Sequence, residues 1–256
     1  MSEPLALHHG DADPSMLIPL WCRAQCRVLY PALGVGEADA EIISGIRADF
    51  SLARRSEPLL YALRESLAAG SLGEYLSEHP DAVLIDLGCG LDSALRLADN
   101  GRCRMVYADL PGNVGLRRAL LPERERETYI SCAAPDLSPL AGIDASGGAC
   151  VLMCGLLCHL TEPDVRALFR SLAELFPGGA AVFDGLGGVS RLFGGIDVKS
   201  RLPGPRATAR MEGIASVEAL ARLPENYAVL PAAKRAKLSA LLRLGVLRMY
   251  SCTLEA

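Results

Sequence analysis

The apolar run Ala82-Val83-Leu84-Ile85 leads directly into Asp86-Leu87-Gly88-Cys89-Gly90-Leu91-Asp92. A short continuous apolar segment bounded by glycines reads as a strand buried on both faces, and strands of that kind belong to parallel sheets covered by helices. Gly88 and Gly90 then predict a tight turn, because glycine adopts backbone angles closed to other residues and lacks the Cβ that would hold a ligand away. Asp109 follows one strand later, where an acid can accept from a pair of ribose hydroxyls. The passage predicts a nucleotide-like ligand seated on a strand-to-helix turn.

Two ligand classes use such a turn. A dinucleotide needs a third glycine and a helix N-terminus for its pyrophosphate; here Ser93 stands at that place and Asp92 precedes it. A carboxylate there repels a diphosphate, whereas S-adenosylmethionine (SAM) has no phosphate and carries a sulfonium and an ammonium. These residues favour SAM over the NAD of an oxidoreductase. A glycine pair kept for packing alone is the bland alternative.

The remaining pattern supplies the architecture. Strands are predicted at 105–108, 128–132, 149–153, 180–184 and 246–254, with helices near Leu95 and Leu116 and over 232–244. That alternation predicts an α/β fold, a parallel sheet with helices on both faces. Thr161-Glu162-Pro163-Asp164 carries an N-cap, an early proline and a capping-box acid, followed by apolar Val165, Leu168, Phe169, Leu172 and Phe176. Helices at 16–30, 38–50 and 58–69 precede the first strand and predict a cap over residues 1–80, with the ligand-binding domain over 81–256. Residues 185–195 and 203–205 are rich in glycine and proline and predict a loop near the ligand.

The chain has 256 residues, 50% of them hydrophobic and 22% charged, which suits a globular α/β domain with a helical addition. Net charge is −4, and no run of Lys or Arg forms a stripe, so neither a nucleic-acid nor a membrane partner is expected. Arg54-Arg55 and Arg117-Arg118 read as solvated helix faces. No signal-like apolar stretch precedes Arg23, and a cytoplasmic location with reduced thiols is expected for the nine cysteines. Cys150, Cys154, Cys158 and His159 invite a metal reading, but their spacing builds no tetrahedral site, so no metal is expected. The oligomeric state is not legible.

Taken together, these segments resemble the class I SAM-dependent O-methyltransferases of the leucine carboxyl methyltransferase superfamily, in particular the tetracenomycin-type branch acting on polyketides. The likeness runs from Leu17-Ile18-Pro19-Leu20-Trp21-Cys22-Arg23-Ala24 through Ala48-Asp49-Phe50-Ser51 and is densest from His79-Pro80 to Asp92. It resumes at Tyr107-Ala108-Asp109-Leu110-Pro111, Asp136-Leu137, Cys154-Gly155, Leu160-Thr161-Glu162 and Phe176-Pro177-Gly178. The resemblance implies a Rossmann-like, seven-stranded, mostly parallel sheet with an N-terminal helical cap. It also implies a cofactor site of Asp86, Gly88, Cys89, Gly90, Asp109, Leu110 and Cys154, with Gly88 to Gly90 under the methionine portion. Arg64 would grip the methionine carboxylate with two parallel bonds, and Asp136 and Leu137 would meet the adenine.

The chain departs from the family pattern at four places, one of them a Trp replaced near Leu140, and two of the four fall where substrate and methionine should meet. Ser93-Ala94 replaces a Thr-Arg, Cys154 replaces a Glu, and His159 replaces a Tyr. His159 is the candidate general base, because imidazole titrates near neutrality; bonding a backbone carbonyl is the rival role. Trp21, Arg23, Tyr30 and His159 are the candidate acceptor-pocket residues. The expected activity is O-methylation of a small natural-product carboxylate, phenol or enol, with a peptide carboxyl or nitrogen acceptor, or SAM binding without catalysis, as alternatives.

Overall fold

The computed structural model describes residues 5–7, 14–51, 53–187 and 198–256. Its centre is a seven-stranded sheet whose strands alternate their side chains between two helical layers. In chain order the elements begin with β1 (Leu5–Ala6), α1 (Pro14–Leu29), α2 (Glu37–Ser44), β2 (Ile46–Arg47) and α3 (Pro58–Glu78). There follow β3 (Val83–Leu87), α4 (Ala94–Ala98), β4 (Arg104–Asp109), α5 (Pro111–Leu120), β5 (Glu127–Ser131), β6 (Ala149–Met153) and α6 (Glu162–Leu175). The chain closes with β7 (Ala180–Leu186), α7 (Pro205–Thr208), β8 (Ile214–Ala219), α8 (Ala232–Arg243) and β9 (Leu247–Leu254).

The sheet order is β5-β4-β3-β6-β7-β9-β8. Strands β3 to β7 pair in parallel, and β9 runs antiparallel between β7 and β8. The chain winds outward from β3 to β5 and then returns to place β6 on the other side of β3. That reversal opens a crevice beyond the carboxyl ends of β3 and β6, the usual place for a ligand in an open α/β sheet.

Strand alternation explains the layers. Val83, Ile85 and Leu87 join Val151, Met153 and Phe183 against Leu168, Phe169 and Leu172 of α6. On the other face Leu84, Tyr107, Cys150 and Val182 pack on Leu63, Ala68, Leu72 and Leu76 of α3 and on Leu238 and Leu242 of α8. A third cluster gathers Met16, Leu17 and Leu20 of α1, Ile42 of α2 and Leu91 of the glycine turn. Thus α3 is one of the layers that cover the sheet, while α1 and α2 sit on the turn itself. The start of α6 carries the predicted capping box, with Thr161 and Asp164 bonding each other's backbone amides.

Several boundaries differ from the sequence reading. The helix expected over 38–50 stops at Ser44, and Ile46–Arg47 instead pairs in parallel with Leu5–Ala6. The helix expected over 58–69 continues to Glu78, because buried Leu72 and Leu76 outweigh about 1 kcal/mol of helix penalty at each of Gly70 and Gly73. Strand β8 has no counterpart in the reading: its exposed Ser216 and Glu218 mask the period, and pairing with β9 makes it a strand. Of the predicted loop, 185–186 extend β7 and Pro205 begins α7, while 188–195 lie outside the described residues. No helix among the described residues is long and apolar enough to cross a membrane.

Candidate active site

The turn after β3 is built from the sheet outward. Gly88 and Gly90 take φ of 77° and 44°, in the left-handed region that glycine tolerates. A Cβ at Gly88 would stand 3.1 Å from Leu156, and one at Gly90 would stand 3.3 Å from Met16. The amides of the turn are spent within the protein. Gly88 N donates to Ala108 O at 2.8 Å, Cys89 N to the same oxygen at 3.3 Å, and Gly90 N to Asp109 Oδ2 at 2.7 Å. Ahead of α4, Ala94 N donates to Asp92 Oδ1 at 2.7 Å. At the helix N-terminus that a pyrophosphate would need, the first amide already meets a carboxylate.

Asp109 is buried at the end of β4. Its Oδ1 accepts from Leu110 N at 2.7 Å and from Asn113 Nδ2 at 2.8 Å, while Oδ2 takes the Gly90 amide. A carboxylate offers about four acceptor positions, so a position remains for a ligand hydroxyl.

Around the turn lies a buried charge cluster. Arg23 reaches Asp39 at 2.7 Å, Glu65 at 3.1 Å and Asp92 at 3.4 Å, and donates to Leu91 O. Ser93 Oγ donates to Glu65 Oε1 at 2.9 Å. Burial pushes the Glu65 carboxyl up to about 8, against the attraction of Arg23. Asp86 is raised as well, first by burial and then by the neighbouring Asp92.

Arg117 corrects the sequence reading. It is fully buried, not a solvated helix charge, and donates through Nη1 to Gly90 O at 3.1 Å and Asp92 O at 2.9 Å. Its guanidinium lies 3.8 Å from the centroid of the Tyr107 ring. This residue holds the far side of the turn, and its Nε and Nη2 have no hydrogen-bond partner. Arg118, by contrast, is an exposed partner of Glu123.

The turn opens into a cavity of about 480 Å³, within the size range of small-molecule sites. Of the sequence-predicted residues, Arg23, Arg64, Gly88, Cys89, Gly90, Asp109, Leu110, Cys154 and His159 line it. Arg23 does so with its guanidinium already committed to three carboxylates. Asp86 sits behind the turn and is not a lining residue. Asp136 is exposed and accepts from Ser138 N at 3.0 Å, and Leu137 points into the core; Cys132 and Ala134 line the cavity in their place. Trp21 and Tyr30 are not among the lining residues, and Tyr30 instead lies under the ammonium of Lys234, 5.2 Å from its ring centroid.

The reading missed Met16, Ile18, Pro19, Tyr61, Leu156 and Val198, which line the same cavity. Met16, Ile18 and Pro19 come from α1, whose proline at position 19 and apolar run marked a helix but not which face meets a ligand. Tyr61 precedes Arg64 by one helical turn on α3, a spacing that places both on one face.

His159 closes a single 3₁₀ turn, Leu157–His159, at the exposed rim of the cavity. Cys154 and Cys158 flank it along the wall. Burial raises both thiols, Cys158 to about 11, so neither is a ready nucleophile at neutral pH. Among the described residues, no cluster of three or more His, Cys, Asp or Glu side chains is arranged to hold a metal ion.

No protein-family model matches the chain. The sequence is 31% identical over 157 residues to the tetracenomycin polyketide synthesis O-methyltransferase TcmP of Streptomyces glaucescens, an alignment that takes in 60% of this chain and 58% of that protein. Among solved structures, a candidate methyltransferase from Thermobifida fusca superposes with a TM-score of 0.58 at 16% identity, covering 86% of this chain and 93% of its own. An O-methyltransferase family protein from Burkholderia thailandensis superposes with a TM-score of 0.50 at 15% identity, covering 94% of this chain and 72% of its own. The chain therefore has the Rossmann-like α/β fold of the class I methyltransferases and is similar in sequence to a tetracenomycin-type O-methyltransferase.

Proposed function

We propose that the protein is a SAM-dependent O-methyltransferase whose acceptor is a carboxylate, phenol or enol on a small natural-product-like molecule. The observation that carries this reading is the use of the turn's own amides. Gly88, Cys89, Gly90 and Ala94 donate internally, the last to the carboxylate of Asp92, whose charge would oppose a diphosphate at this end of α4. The carboxyl groups of Asp92 and Asp109 border the cavity at the turn, which suits a ligand bearing a sulfonium and an ammonium.

In this reading Gly88 to Gly90 pass beneath the methionine portion, and the remaining acceptor position of Asp109 takes a ribose hydroxyl. Leu110, 53% exposed at the cavity edge, covers the adenine. Cys132 and Ala134 border the adenine, with the backbone of Asp136 and Leu137 beyond. Arg64 faces the methionine carboxylate. The bound cofactor supplies a methyl group on a good leaving group.

The protein's task is then to hold an acceptor oxygen in line with that methyl. Orientation of this kind contributes about 7–11 kcal/mol. Met16, Ile18, Pro19, Leu156 and Leu160 form an apolar wall that excludes water from the acceptor. His159 at the rim takes the proton from a phenol or enol, and a carboxylate acceptor needs no base. Similarity to TcmP supports O-methylation as the reaction class.

Thermal unfolding with S-adenosylhomocysteine and with NAD tests the reading. A ligand at about a hundred times its dissociation constant adds about 2.7 kcal/mol, so S-adenosylhomocysteine should raise the midpoint and NAD should not. A shift with NAD alone would overturn the assignment. Turnover is then scored by mass spectrometry on a panel of aromatic acids and phenols. Binding of S-adenosylhomocysteine without methylation of any member would reduce the proposal to a SAM-binding protein.

A further inference from the structure

We propose that Asp184 is a positioning residue for Arg64, presetting its guanidinium for the α-carboxylate of an amino acid-bearing nucleoside. The inference rests on the SAM reading above and assigns a role to Asp184, for which the sequence reading named none.

Asp184 lies on β7, one step beyond Phe183, which pairs with Met153 at the end of β6. Its side chain is 6% exposed and is not part of the cavity wall, so it does not meet a ligand directly. Both oxygens are used: Oδ1 accepts from Gly155 N at 2.6 Å, and Oδ2 faces Arg64 Nη1 at 3.4 Å. Arg64 itself lines the cavity and is held on another side by the Tyr61 ring, 5.2 Å from its Cζ. Gly155, at φ +80°, lets the guanidinium come close, since a Cβ there would stand 3.3 Å from Nη1.

These contacts form one assembly. The loop leaving β6, the end of β7 and the face of α3 are joined through a single carboxylate. A solvated arginine would lose side-chain freedom on gripping a ligand; an arginine already held by Asp184 and Tyr61 loses less. The contact to Asp184 engages Nη1 and leaves the rest of the donor fork for the cavity. The same carboxylate offsets the burial of Arg64, whose charge is held against the cost of desolvation by Asp184.

Separating positioning from plain structural support requires two ligands. S-adenosylhomocysteine carries the amino acid carboxylate, and 5′-methylthioadenosine is the same nucleoside thioether without it. Calorimetric titration of Asp184→Asn, whose amide oxygen can still accept from Gly155, should show S-adenosylhomocysteine weakened by about tenfold. Affinity for 5′-methylthioadenosine should stay within about twofold of the unmodified protein.

Asp184→Glu, which retains the charge, should restore part of the lost preference. In an Arg64→Ala background the Asp184→Asn effect should vanish, since the residue it acts through is gone. Equal weakening of both ligands, or a loss that persists without Arg64, would overturn the inference and leave Asp184 as a fold contact. If the unmodified protein bound neither nucleoside, the cofactor reading itself would fall, and with it this one.

Discussion

Gly90 donates its amide to Oδ2 of Asp109 at 2.7 Å, so the turn after β3 and the acid ending β4 are one unit. The contact defines the orientation of the carboxylate and the path of the turn together. A ligand hydroxyl arriving at Asp109 meets an oxygen that is already held.

Asp109→Asn should leave the fold in place and weaken the nucleoside. Hydrogen bonds to a charged group are worth about 1.5–3 kcal/mol, so the stabilisation by S-adenosylhomocysteine should fall by that order in a thermal-shift titration. An unchanged shift would remove Asp109 from the ribose site.

Arg117→Ala should be among the most damaging substitutions outside the apolar core. It deletes the donor to Gly90 O and Asp92 O and leaves buried Asp86 without its nearby cation. Breaking a buried charge arrangement costs about 3–5 kcal/mol, to be read as a lowered urea midpoint. A loss below about 1 kcal/mol would mean that the turn holds its shape without the guanidinium.

Glu65 should tilt the pH dependence of stability. Its carboxyl is raised by burial from 4.5 to about 8, so between these values the folded protein holds a proton that the unfolded chain has released. Stability from this group is full below pH 4.5 and is lost as pH rises through 8, with a slope approaching 1.4 kcal/mol per pH unit. Glu65→Gln keeps an acceptor for Ser93 and carries no titrating proton. Urea midpoints from pH 5.5 to 8.5 should therefore fall less steeply in the variant, and identical slopes would show that Glu65 stays ionised in the fold.

His159→Ala should separate binding from turnover. General base catalysis contributes about 10²–10⁴-fold, so methylation of a phenol should drop by that order while affinity for S-adenosylhomocysteine is retained. Phenol turnover equal to that of the unmodified protein would remove His159 as the base and leave it at the rim alone.

The strands, the glycine turn and the capped helix α6 are legible in the chain because each is specified by neighbours a few residues away. Period-two burial places Val83, Ile85 and Leu87 on one face, Gly88 and Gly90 allow the bend, and Thr161 with Asp164 starts α6. Asp92 and Ser93 likewise reveal, from adjacency alone, that the turn does not suit a pyrophosphate.

Other features depend on partners far along the chain. Arg117 reads as half of a charged pair on a helix, and only the fold sets it against Gly90, 27 residues earlier. Arg64 and Asp184 are 120 residues apart and meet because α3 lies across the ends of β6 and β7. Asp136 points outward to cap its own turn, and β8 exists because β9 offers it an edge. The sequence by itself determined the parallel strands, the glycine turn and the capped helix. Tertiary structure decided which charges are buried together, because the cost of burying a charge is offset only by partners that folding brings within reach.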